Sequence, residues 1–262
     1  MGMGKEIERR SHLIGFKEEI NRARESSKDS FFTWFDAAQD TNSSFIRGSW
    51  DFSLHFAYPI AKYISNPENK SALEIGYGGG RILAAAAKHF NYVIGTDLHG
   101  HLDLVKDELN SRGIKNFELH VTDGKSIPLS DASVDVVYSF IVFQHLEKIN
   151  IFLKYLEETY RVLKQGGVAV LYFGRFRHFS NNRDKKYLYL LDRLYEKLVL
   201  REGFREIRAR VNETNLIVTL NYAVKSAKAF NFKICEVLVS RKKVPDGFNL
   251  YGGQHGLILT KQ

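Results

Sequence analysis

From Ser71 onward, short continuous apolar runs alternate with longer stretches whose apolar residues recur at helical spacing. Leu73–Ile75, Tyr92–Thr96, Phe117–Val121, Val134–Ser139 and Val168–Phe173 have the length and composition of buried strands. Between them, Arg81–His89, Leu102–Ser111 and Asn150–Leu163 predict helices, with Gly113 and Gly166-Gly167 as turns. This alternation predicts an α/β fold: a parallel sheet with right-handed crossovers and helices on both faces. Residues 174–214 break the rhythm. Arg175, Arg177, Arg183, Lys185 and Lys186 precede an amphipathic helix through Tyr187, Leu190, Leu191, Leu194 and Leu198. That stretch reads as an insertion after strand five, lying over the strand carboxyl ends. Asn215–Ala229 predicts another helix. Lys233–Ser240 and Gly256–Thr260 predict two last strands, separated by a tight turn at Tyr251-Gly252-Gly253-Gln254.

Upstream, residues 1–28 are charged with sparse apolar positions (Ile7, Leu13, Ile14, Ile20) and predict one helix. Phe31, Phe32, Trp34 and Phe35 follow, dense enough to need a partner surface; core packing and a ligand wall are both open to them. Ser49 is the predicted N-cap of a helix carrying Phe52, Leu54, Phe56, Tyr58 and Ile60, bent at Pro59. At its entry, Arg47, Trp50 and Asp51 either close over a ligand or form a local salt bridge and core anchor. Asn66-Pro67 marks a turn. The expected organisation is a helical cap over 1–68 and an α/β domain over 69–262, with a lid at 174–214.

Ligands of open parallel sheets bind beyond the strand carboxyl ends. Three polar features fall there: the glycine loop Gly76, Gly78, Gly79 and Gly80, then Asp97, then Asp123-Gly124. Glycine takes positive φ freely and lets a ligand approach the backbone. Asp97 ends strand two about 20 residues past the first glycine, where an acid can accept both hydroxyls of a ribose. The dinucleotide pattern Gly-x-Gly-x-x-Gly fails, because its third glycine position holds Arg81. Glu74-x-Gly76-x-Gly78-x-Gly80 instead resembles motif I of class I S-adenosylmethionine-dependent methyltransferases. Asp97, Asp123-Gly124, the run Asp135 to Phe140, Gln144-His145-Leu146 and Tyr160 to Gly167 are similar to that family too. The resemblance covers residues 71–173, and more weakly 215–262.

It implies a Rossmann-like seven-stranded, mostly parallel sheet in the order 3-2-1-4-5-7-6 with the last strand antiparallel. It implies S-adenosyl-L-methionine as cofactor. Gly76, Gly78 and Gly80 would lie under its methionine part and Glu74 would orient the loop and the amino group. Asp97 would hold the ribose, with Leu98 against the adenine. Asp123 would accept from the adenine amino group and the Gly124 N–H would face a ring nitrogen. Ser139 and Phe140 would flank the methyl end. The reaction would be direct displacement, with His145 as candidate base for an acceptor that must lose a proton.

Composition adds boundaries. The chain has 262 residues, 44% of them hydrophobic, with Cys235 as sole cysteine, so neither a disulfide nor a cysteine-cluster zinc site is expected. No apolar run reaches a membrane span and no signal peptide opens the chain, so a cytoplasmic protein is expected. The net charge of +8 suits nucleic acid, an anionic membrane or an acidic substrate, or serves solubility alone. No RNA-binding module is evident. His55, His99, His101, His178 and His255 are scattered, so no metal is expected. Strand four is followed by neither Pro-Pro-aromatic nor Pro-Cys, the patterns of base-methylating relatives. Trp50, Arg175 and Arg177 are the acceptor-side candidates; a basic face after strand five favours a carboxylated, phosphorylated or sugar-bearing acceptor, unless it is merely solvated. The expected activity is O-methylation of a small molecule or glycan sugar, followed by N-methylation, with RNA methylation or silent cofactor binding as alternatives.

Overall fold

The computed structural model describes residues 12–180, 185–207, 209–240 and 253–262. Ile7, Arg183, Tyr251 and Gly252, singled out above, lie outside them. The N-terminal part holds α1 (His12–Ser26), α2 (Lys28–Trp34), α3 (Thr41–Phe52), a π-helical turn (Ser53–Ala57) and α4 (Tyr58–Ile60). The central part runs β1 (Ser71–Ile75), α5 (Arg81–Ala86), β2 (Tyr92–Asp97), α6 (Leu102–Ser111), β3 (Phe117–Val121), β4 (Val134–Ser139), α7 (Ile149–Val162) and β5 (Leu163–Gly174). Then come α8 (Lys186–Val199), β6 (Phe204–Glu206), β7 (Leu216–Val218), α9 (Leu220–Ala229), β8 (Phe232–Val239) and β9 (Gln254–Lys261).

The main sheet is seven-stranded in the order β3-β2-β1-β4-β5-β9-β8. Strands β1 to β5 are parallel and β9 is antiparallel to both its neighbours. Setting aside the small β6-β7 pair, this is the order implied by the family resemblance. The chain leaves β1 in one direction to β3 and returns on the other side at β4, so the topological switch lies between β1 and β4.

Two expectations need correction. Asp40, not Ser49, caps α3: its carboxylate accepts the Ser43 N–H at 2.7 Å, while Ser49 sits inside the helix and donates its hydroxyl to the Phe45 carbonyl. Residues 216–218 are a strand, not the start of a helix. Leu216-Ile217-Val218 is β-prone and pairs with 204–206, and Thr219 then caps α9 by accepting from the Tyr222 N–H. Pro59 is accommodated locally. It cannot donate to the His55 carbonyl one turn back, and the Tyr172 hydroxyl donates to that carbonyl instead, at 3.2 Å.

The cap is not a separate core. Phe31, Phe32, Phe52 and Phe56 are fully buried in one cluster with Ala72, Leu83, Tyr138 and Tyr172. Helices α3 and α5 cross so closely that a Cβ on Gly48 would lie 2.3 Å from the Arg81 carbonyl oxygen. Overpacking against backbone outweighs the better helix propensity of alanine, so Gly48→Ala should lower stability by about 1–3 kcal/mol, read from urea unfolding.

Candidate active site

The carboxyl ends of the central strands open onto a cleft of about 820 Å³, lined by Glu74, Gly76, Gly78, Asp97, Leu98, Asp123, Gly124, Phe140 and His145. That is the size range of small-ligand sites, about 300–1,000 Å³. Phe16, Ile20, Trp34 and Phe35 from α1, α2 and its C-terminus form the cap side of the wall. The aromatic segment therefore divides: Phe31 and Phe32 are core, whereas Trp34 and Phe35 reach the cleft.

The glycine loop is held by backbone geometry. Gly76 and Gly78 have φ of +79° and +53°. A Cβ on Gly76 would lie 2.3 Å from the Val142 side chain, and one on Gly78 would lie 2.8 Å from the Phe35 ring. Asp97 ties the loop to β2: one carboxylate oxygen accepts the Gly78 N–H at 2.7 Å, the other the Leu98 N–H at 2.6 Å. His99 completes the tie. Its Nε2 donates to the Gly78 carbonyl at 2.9 Å and its Nδ1 accepts the His101 N–H, which fixes its tautomer. His99 and His101 are thus loop supports, and among the described residues no cluster of acids, histidines and cysteines could hold a metal.

Glu74 lies at the bottom of the cleft, 3% exposed. Burial pushes its carboxyl up to about 8, opposed by the hydrogen bond from Tyr138 and the charge of Arg81. The sign follows from linkage. The folded state prefers the protonated acid, so this contribution is complete at acid pH, declines as pH rises from about 4.5 and is gone above about 8. Glu74→Gln should therefore raise the ligand-free melting temperature at pH 9 by several degrees, with no gain near pH 4.

Asp123 sits in a tight loop. One carboxylate oxygen takes the Ser126 and Lys125 N–H groups, and the Ser126 N–H holds the acid below the usual carboxylate range. The Gly124 N–H donates to the Thr122 hydroxyl at 3.2 Å, so it is already engaged within the loop, not left for a ring nitrogen. At the end of β4, Phe140 stacks on His55 with centroids 4.4 Å apart. Ile141 follows in the left-handed region at φ +60°. A β-branched residue there is strained by about 1–3 kcal/mol, a feature that clusters at functional sites.

Five of the proposed residues are elsewhere. Gly80 precedes α5 and packs on Val105 and Leu109 of α6. Ser139 is fully buried and its hydroxyl donates to the Ile75 carbonyl at 3.0 Å, bracing β1 on β4. Trp50 lies on α3, outside the cleft lining. Arg175 is 9% exposed and bound to Asp192 and Ser180. Arg177 packs against Gly253. Neither arginine lines the cleft. The sequence reading in turn missed Arg81, which is buried and bridges to Asp51 at 2.5 Å and to Asp36 at 3.6 Å. The failed third-glycine position is thus the clasp between cap and glycine loop.

Comparison with known proteins agrees with this geometry. Residues 73–171 match the model of a methyltransferase domain family. The chain is 25% identical over 146 residues to the tRNA (carboxymethyluridine(34)-5-O)-methyltransferase ALKBH8 of Macaca fascicularis, covering 55% of this chain but 21% of that protein. The chain therefore spans about a fifth of the length of that relative. Among solved structures, an S-adenosylmethionine-dependent methyltransferase from Methanosarcina mazei superposes with a TM-score of 0.55 at 20% identity, over 78% of this chain and 96% of that one. One from Clostridium acetobutylicum gives a TM-score of 0.57 at 15% identity, over 82% and 94%. At these identities the superpositions speak to the fold alone.

The residues present fit the methyl donor. Its ribose needs an acid, its ammonium a hydrogen-bond acceptor and its adenine an apolar wall; Asp97, Glu74, and Leu98 with Tyr155 line the cleft with those groups. Over residues 73–171 the chain carries a methyltransferase domain, and the fold and the lining of the cleft agree with S-adenosylmethionine as its cofactor.

Proposed function

We propose that the chain methylates an oxygen of a small-molecule or glycan acceptor, with His145 as the base. One observation carries this reading. His145 lines the cleft, and its Nδ1 lies 2.6 Å from the Glu213 carbonyl oxygen. A carbonyl only accepts, so Nδ1 holds the ring proton and Nε2 is the basic nitrogen. The Gln144 amide nitrogen, 3.2 Å from Nε2, fits the same tautomer. S-adenosylmethionine supplies a methyl group on a sulfonium, and an alcohol that takes it must shed a proton. Imidazole in this tautomer can accept that proton, a contribution of typically 10²–10⁴-fold. Phe16, Trp34 and Phe35 wall the cleft and limit water around the reacting groups.

Arg175 gives no support to an anionic acceptor, since it is already bound to Asp192. The second reading is tRNA, favoured by the ALKBH8 likeness and the net charge of +8. A transfer screen with labelled S-adenosylmethionine against sugars, small alcohols, small acids and bulk tRNA separates the two. Label entering small hydroxyl compounds supports the first reading, and label entering tRNA alone replaces it with the second. On the accepted substrate, His145→Ala should lower kcat by about 10²–10⁴ while the Kd for S-adenosylhomocysteine stays within about twofold of the wild-type value. Unchanged turnover would remove His145 from the chemistry.

A further inference from the structure

Helix α8 is inside out. Tyr187, Leu190, Leu191, Leu194 and Leu198 form one stripe, and each is 43–69% exposed. Its two acids, Asp192 and Glu196, face inward at 1% and 3% exposed. Asp192 accepts the N–H groups of His178, Phe179 and Ser180 and pairs with Arg175; Glu196 pairs with Arg193. The helix is thus anchored through its polar side. From Lys185 to Arg201 the exposed charges are all cations, namely Lys185, Lys186, Lys197 and Arg201, and Glu202 is the first exposed acid beyond them.

A contiguous apolar stripe of this kind marks a contact surface. The charge around it selects the contact. A second copy meeting it across a two-fold axis would bring cations against cations. An anionic lipid surface would receive the leucines at the acyl boundary and the lysines at the headgroups. The helix has 14 residues, about 21 Å, enough to lie on a bilayer and too little to cross it. No helix among the described residues is long and apolar enough to span.

We propose that the outer face of α8 docks the protein reversibly on an anionic membrane surface. Asp192 of α8 pairs with Arg175, the residue that directly follows the carboxyl end of β5, so α8 and the cleft lie at the same end of the sheet. The proposal does not depend on which acceptor is methylated.

The test is flotation of the full chain with vesicles of phosphatidylcholine alone and of phosphatidylcholine mixed with phosphatidylglycerol. Binding to the mixed vesicles, weakened by added salt, is the expected result. Lys186→Gln and Lys197→Gln should each weaken it roughly fivefold. Leu190→Asp combined with Leu194→Asp should abolish it, with an unchanged circular-dichroism melt to show that the fold is intact. Equal binding to both vesicle types, or none to either, overturns the proposal. So does a concentration-dependent dimer, in sedimentation equilibrium, that Leu194→Asp dissociates; that result assigns the stripe to a second copy.

Discussion

Asp97→Ala should weaken binding of both S-adenosylmethionine and S-adenosylhomocysteine by about one to three orders of magnitude, read as Kd by calorimetry. Each charge-assisted hydrogen bond contributes about 1.5–3 kcal/mol, and two bonds to one ribose do not fully add. The same carboxylate also fixes the Gly78 and Leu98 N–H groups at 2.7 and 2.6 Å. The variant would therefore lose the proposed ribose contact together with the preorganisation of the glycine loop. Asp97→Asn, which keeps one acceptor oxygen, should fall between wild type and alanine. An unchanged Kd in both variants would separate Asp97 from the cofactor.

The largest effect on stability belongs to Arg81. Arg81→Met should cost about 3–5 kcal/mol, because it leaves buried carboxylates without their cation. Asp51 is fully buried and Asp36 nearly so, and Arg81 reaches both from the first turn of α5. Urea unfolding should show the loss as a lowered midpoint. Combining Arg81→Met with Asp51→Asn should recover part of it, since one uncompensated charge is then gone. Full additivity of the two substitutions would show that the pair does not interact. Cofactor affinity should fall along with stability, because Arg81 follows directly on the glycine loop.

Most elements were legible in the sequence because strand and helix periods alternate cleanly between Ser71 and Gly174, whereas the sheet order came from the family resemblance alone. The β6-β7 pair was not legible: three-residue strands carry no period, and Leu216-Ile217-Val218 runs without a break into a helical pattern. Of the site, the acids and glycines at the ends of β1, β2 and β3 could be found because motif spacing fixes their place in the fold. Long-range partners could not. Nothing in Arg175 announces Asp192, and nothing in Arg81 announces Asp36 and Asp51. The aromatic cap could be read as needing a surface, but which rings reach the cleft depends on how α2 is seated. The leucines of α8 were legible as a stripe, while their facing solvent was not, since an amphipathic pattern does not say which side is anchored.

The merged core of the cap and sheet has a bearing on synthesis of the chain. Phe52 and Phe56 pack on Tyr138 of β4, and the His55 carbonyl waits for the hydroxyl of Tyr172 on β5. Those partners emerge from the ribosome long after the helices that need them. At roughly 5–20 residues per second, the interval between Phe56 and Tyr172 is on the order of ten seconds. Throughout it, these bulky rings lack the sheet strands that complete their native burial. A chaperone that holds nascent apolar segments should therefore meet this chain first at α2 to α4, and release it once β5 has been made.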